Sequence, residues 1–285
     1  MSILDKAAPP APEALIVTIV GTPGSGKSSL AATWPNPYLI RTQGEAMPRD
    51  LPNPPASIGE TTTEELLVQQ LTALIREDHP YKSVIIDSVT GLESMFVNEV
   101  LNAPGEKAKS INQAAGGYGA GRETVRAKHM RVRRAAEALR KKGIPVVFLA
   151  HSDIVTINPP DGDSYTQYSL RLHDKSIAPY VDEVDVVGFL KQETALIGED
   201  RKRAVGGEDR VLVTYLTPAN VSKNRLGITD DIPVVKGVNP LEQWINPSAA
   251  AEKPKIRVKA KQAEEVKPVA DDAAEDVDVN DYVEG

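Results

Sequence analysis

Six short apolar runs recur along the chain, each bounded by turn residues or by a stretch with a different hydrophobic period. Residues 15–20 (LIVTIV), 83–87 (SVIID) and 145–150 (PVVFLA) are almost continuously apolar and β-branched, the pattern of strands buried on both faces of a parallel sheet. Residues 38–41 form a shorter strand of this kind, and 184–190 and 211–216 add two more. Residues 221–225 read as a further strand or the end of one. Between the strands the period changes. In 63–77, Leu66, Leu67, Leu71, Leu74 and Ile75 fall at helical spacing, with Glu64 and Glu65 early, where they complement the helix dipole. Residues 28–34 open a helix that Pro35 and Pro37 end, and 91–101 predict another. In 123–142, Val125, Val132, Ala136 and Leu139 share one helix face, and basic groups occupy much of the rest. Strands alternating with helices predict an α/β fold: a mainly parallel central sheet flanked by helices, with a more antiparallel C-terminal edge.

Composition marks the boundaries of that fold. Residues 1–13 are rich in Ala and Pro and predict a flexible N-terminus, 14–247 form one domain, and 248–285 predict a disordered tail. In the tail Lys253, Lys255, Arg257, Lys259, Lys261 and Lys267 come first, and the last seven charges, from Asp271 to Glu284, are all acidic. Of the chain's net charge of −7, −4 lies in residues 251–285, so the domain itself is near neutral and its net charge alone does not point to nucleic acid. Cysteine is absent, which excludes disulfides, thiolate metal sites and cysteine nucleophiles. No run approaches the roughly 20 apolar residues of a membrane span, and 15–20 is too short for a signal peptide, so a cytoplasmic protein without membrane contact is expected.

The chemistry begins where the first strand ends. Gly21, Thr22, Pro23, Gly24, Ser25, Gly26, Lys27 and Ser28, followed by Ser29, match the phosphate-binding loop G-x-x-x-x-G-K-[ST] between a strand and a helix. Glycines let successive N–H groups turn onto phosphate oxygens, Lys27 reaches the β- and γ-phosphates, and the Ser28 hydroxyl ligates Mg²⁺. Asp87, at the end of the third apolar run, is the matching carboxylate for Mg²⁺ or a helix N-cap. ATP with Mg²⁺ is therefore the expected ligand. The glycines of 116–121 lack dinucleotide-binding spacing, 276–281 lack the glycine of a calcium loop, and His79, His129 and His173 show no metal spacing.

The succession LIVTIVGTPGSGKSSLAATW, VIIDSVTGL, PVVFLAHSD and VSKNRLG resembles the core motifs of RecA-like P-loop ATPases over about 210 residues. With GGYG and DKSIAPYVDEVDVVGFL it is similar to phage-encoded, AAA-type nucleotide-binding proteins related to the Sak-type single-strand annealing recombinases. The resemblance implies a RecA-like core and places His151 as a γ-phosphate sensor, although a His capping a strand end is an equal reading. It implies that Lys223 and Arg225 act on a neighbouring subunit's phosphate, or else are solvated charges. AAA+ enzymes carry a Glu after the strand-end Asp, where this chain has Ser88. The RecA-like base lies after the second strand, where the chain reads Arg41-Thr42-Gln43-Gly44-Glu45. Gln43 takes the Glu position and orients water without accepting its proton; Glu45 substitutes if the loop shifts, and slow hydrolysis is expected.

By the same resemblance loops 102–122 and 152–175 meet single-stranded DNA, through Lys107, Lys109, Arg122 and Arg126 on phosphates and Tyr118, Tyr165 and Tyr168 on bases. A basic helix such as 123–142 is equally read as a solvated face. The leading expectation is an oligomeric, weakly hydrolysing Mg-ATPase on single-stranded DNA in phage recombination or annealing, with the tail restraining DNA binding or docking a single-strand binding protein. The alternative is a nucleotide-switched loader or scaffold with little DNA affinity. No acceptor-binding element supports a metabolic kinase.

Overall fold

A run that is apolar at successive positions must be covered on both faces, and here the runs become neighbouring strands of one sheet. The computed structural model describes residues 3–8, 12–197 and 203–245. Its strands are β1 (Ile16–Gly21), β2 (Pro37–Thr42), β3 (Glu60–Thr61), β4 (Ser83–Asp87), β5 (Val146–Ile157), β6 (Tyr165–Leu170), β7 (Val186–Ile197), β8 (Arg203–Val213), β9 (Lys223–Asn224) and β10 (Ile232–Val234). The helices are α1 (Lys27–Ala31), α2 (Glu64–Arg76), α3 (Val89–Leu101), α4 (Ala120–Lys141), α5 (Ala178–Val181) and α6 (Glu242–Ile245). Spatial order is β10-β8-β7-β1-β5-β4-β2-β3. The strands from β7 to β3 run parallel, while β8 and β10 form an antiparallel edge. The α/β architecture is the one the alternating pattern predicts.

Successive residues on a strand point to opposite faces, and the core divides accordingly. Ile16, Ile40, Ile86 and Phe148 pack with Leu67, Phe96 and Leu139 of α2, α3 and α4. Val17, Leu39, Ile85 and Val147 pack instead with Leu30 and Trp34, and with Ile228 and Leu241 from the C-terminal segment. Thr63 caps α2 by accepting the Leu66 N–H at 3.2 Å, and Ser88 caps α3 by accepting the Gly91 N–H at 3.1 Å.

Three elements differ from expectation. The helix after the phosphate loop is only five residues long. The Thr33 and Trp34 N–H groups turn back to Leu30 O and Ala31 O, three residues earlier, and Pro35 prevents continuation. The predicted loop 152–175 is largely a hairpin, in which β5 continues to Ile157 and pairs antiparallel with β6 from Ser152–Leu170 to Ile157–Tyr165. Similarly, β7 and β8 run beyond their apolar runs to form a long antiparallel pair. The expected tail lies outside the described residues. No helix among the described residues is long and apolar enough to cross a membrane.

Candidate active site

Parallel alignment brings several polar residues to one edge of the sheet. Gly21 at the end of β1 lies opposite His151 on β5, and Asp87 at the end of β4 lies between Leu149 and Arg41. Carboxyl ends of parallel strands are where open α/β sheets bind ligands. The loop from Gly21 to Gly26 closes over this edge. Gly26 has φ 97°, a left-handed conformation that a side chain would strain. At Gly21 a Cβ would lie 2.7 Å from Ser25 Oγ and 2.8 Å from the Leu190 carbonyl oxygen.

Lys27 is 5% exposed, and its Nζ donates to the Gly21 and Thr22 carbonyl oxygens at 3.0 Å each. Burial lowers its pKa, opposed by the charges of Asp87 and Glu45. An ammonium so placed is completed by an anion, and a polyphosphate fits. Ser28 Oγ donates to Asp87 Oδ2 at 2.7 Å, and burial raises the Asp87 pKa. A hydroxyl and a carboxylate are the hard oxygen donors Mg²⁺ takes, with phosphate and water completing its shell. Among the described residues no cluster of three or more His, Asp or Glu side chains could hold a metal by itself. The Ser28 and Asp87 oxygens suit a metal bound together with phosphate.

Glu45 reaches the same place from the loop after β2. Its Oε1 accepts Ser88 Oγ–H at 2.7 Å and His151 Nε2–H at 2.9 Å. The His151 bond is the largest cause of its pKa, which lies below the usual carboxylate value. Gln43 is exposed, so of the two candidates after β2 it is Glu45 that joins Asp87, Ser88 and His151. Beneath them Thr42 Oγ1 accepts the Ser88 N–H at 3.0 Å and donates to the Asp87 carbonyl at 3.3 Å. The His151 N–H donates to Thr90 Oγ1 at 3.0 Å. Lys27, Ser28, Glu45, Asp87 and His151 open on a cleft of about 1950 Å³ that also takes in Trp34 and Arg210.

Other expected residues lie elsewhere. β9 pairs with the start of β7, whose Val186 is opposite Val17 near the start of β1, so Lys223 and Arg225 are at the far end of the sheet from this chain's phosphate loop. Lys223 Nζ donates to the Val181 and Asp182 carbonyls at 3.2 and 2.5 Å. Arg225 pairs with Asp185 at 3.4 Å, and that carboxylate also takes Arg140 Nη2 and the Ile16 N–H at 2.9 Å. Neither cation belongs to the phosphate site of its own chain.

The expected DNA surface is partly consumed by internal pairing. Arg122 is held by Glu93 at 3.2 Å, and Arg126 pairs with Glu123 at 3.7 Å. On α4, Lys128 bridges Glu64 and Glu99, Arg131 pairs with Glu64, and Arg133 holds Glu137 and the Glu183 carbonyl. Lys107 and Lys109 are exposed, as is Tyr118. Tyr165 and Tyr168 are similarly exposed, at 39% and 38%; Tyr165 lies near the hairpin's tip, and Tyr168 stacks on Phe189 with centroids 5.0 Å apart. His129, with no metal role expected, is fully buried, its Nδ1 2.7 Å from Tyr180 Oη and its Nε2 2.9 Å from Glu93.

A phosphate loop at the head of a parallel sheet, a hydrogen-bonded Ser–Asp pair and a polar strand end beside it define a P-loop nucleotide-binding protein. The sequence matches the AAA domain family over residues 13–226, and the chain belongs to that family, with its ATPase-type fold. No curated protein matches it.

Proposed function

We propose that the protein binds Mg-ATP in this cleft and hydrolyses it slowly, and that it works as an oligomer on single-stranded DNA in phage recombination or annealing. The observation that carries the nucleotide part is the buried Lys27, bonded to loop carbonyls beside the Ser28–Asp87 pair. Lys27 and the loop N–H groups would hold the phosphates, and Ser28 and Asp87 would hold Mg²⁺, which supplies charge neutralisation on the phosphate oxygens. Glu45 is the group able to take a proton from water, with Ser88 and His151 fixing its orientation. The sequence resemblance to annealing proteins supports the DNA role, together with the exposed Lys107, Lys109 and Tyr118.

One observation favours a second reading. Most of the α4 cations, Arg122 among them, are already matched by carboxylates, which reduces the charge offered to DNA phosphates. A nucleotide-switched loader or scaffold for a recombination partner needs no such charge. ATPase measurements with and without single-stranded DNA, run beside a salt titration of DNA binding, separate the two. Stimulation by DNA with a steep loss of affinity in salt supports the first. Unstimulated ATPase without measurable DNA affinity rejects it in favour of the second.

A further inference from the structure

We propose that Arg210 is a second phosphate-binding cation of the nucleotide site, supplied by the same chain from the antiparallel edge of the sheet. This rests on the nucleotide reading above. Arg210 lies on β8 opposite Gln192 of β7 and Val234 of β10, and both it and Gln192 line the cleft. Its guanidinium covers the loop at Gly26: a Cβ there would lie 3.2 Å from Nη1, 3.3 Å from Cζ and 3.4 Å from Nε. The missing side chain at Gly26 is what lets the guanidinium approach the phosphate loop.

Arg210 also differs from four arginines of α4 in lacking, among the described residues, a carboxylate partner. Arg122, Arg131, Arg133 and Arg140 each meet a carboxylate, whereas among the described residues none pairs with Arg210. Its Nε, like those of Arg122 and Arg140, is buried and has no hydrogen-bonded acceptor among the described residues. Arg210 is half-buried against the loop residue that precedes Lys27, and an anion in the cleft would compensate the water its guanidinium loses there. The planar fork of arginine matches phosphate oxygens in pairs, which a lysine cannot do. One polyphosphate would satisfy Lys27 from the loop's interior and Arg210 from its β8 side.

The test is calorimetric titration of the full chain with ATP and with inorganic triphosphate, for the wild type, Arg210→Ala and Arg210→Lys, with thermal melting as the check on folding. Arg210→Ala should weaken both ligands by about tenfold or more, as expected for one lost charge-assisted bond. Arg210→Lys should fall between the wild type and Arg210→Ala for both. Wild-type affinity in either variant overturns the proposal, and so does a loss confined to ATP, which would put Arg210 on the base or ribose. A wild-type protein that binds neither ligand overturns the nucleotide reading itself. Should Arg210→Ala fail to fold, unaltered triphosphate affinity in Arg210→Lys still rejects the paired phosphate contact.

Discussion

Replacing Glu45 by Gln tests the hydrolytic centre with little change of shape. Both donors, Ser88 Oγ and His151 Nε2, meet the same carboxylate oxygen, at 2.7 and 2.9 Å. A Gln carbonyl can accept both, so the variant keeps the contacts and loses only charge and the ability to take a proton. Exchanging two charge-assisted bonds for neutral ones costs about 1–2 kcal/mol of stability near neutral pH. The pH dependence has a definite sign. Because the folded-state pKa of Glu45 is depressed, its stabilisation is fully present above the ordinary glutamate value of 4.5 and is lost as pH falls through the lower folded value. The stability gap between wild type and variant should therefore close on acidification below that point. Turnover should respond far more strongly, since a positioned general base is worth about 10²–10⁴ in rate. Phosphate release at saturating Mg-ATP, with ATP affinity measured in parallel, provides the assay; the exposed Gln43→Ala serves as control. Wild-type turnover in Glu45→Gln, or an equal loss in Gln43→Ala, would refute the assignment.

Three further outcomes are expected. Gly91→Ala places a Cβ 2.1 Å from Thr42 Oγ1, and should cost about 1–3 kcal/mol by overpacking, read as a lower melting temperature. An unchanged melting temperature would mean that Thr42 is free to move. Tyr180→Phe removes the hydroxyl from the buried His129 Nδ1, and denaturant unfolding should show a loss of about 1–3 kcal/mol with catalysis intact. If Arg225 serves a neighbouring subunit, Arg225→Ala should bind ATP without turning it over, and mixing it with Lys27→Ala should restore part of the activity. Arginine fingers are worth about 10³–10⁵ in rate, so a minority of repaired interfaces suffices. A mixture that stays inactive after demonstrated subunit exchange leaves Arg225 as the partner of Asp185 alone.

The parallel core was legible because its strands are covered on both sides, which forces continuous apolar runs such as 15–20 and 145–150. The phosphate loop was legible because its geometry depends on glycines at fixed spacing. The β5–β6 hairpin was not, since beyond Ser152 its residues are mostly exposed and no apolar period marks the strand. The pairing of Lys128 with Glu64 and Glu99 was hidden for another reason: the cation is on α4 and its partners are on α2 and α3. Arg210 had no local signal either. It reaches Gly26 only because β8 lies two strands from β1 in space, although about 190 residues separate them along the chain. The choice between Gln43 and Glu45 likewise required the turn of the loop that follows β2.

β5 has no break between His151 and the hairpin's end at Ile157. At about 3.3 Å per residue the projecting part is an arm of about 20 Å, so a tilt of about 5° at its base carries the end through about 2 Å. The return strand is fastened at the same base, where the Arg171 N–H donates to the His151 carbonyl at 2.8 Å. Farther along, Tyr168 exchanges backbone bonds of 2.8 Å with Ala219 and Val221, just ahead of Lys223 on β9. A rotation of the arm is thereby shared with the segment that leads to Lys223 and Arg225, and a load applied to its end acts back on the strand that carries His151.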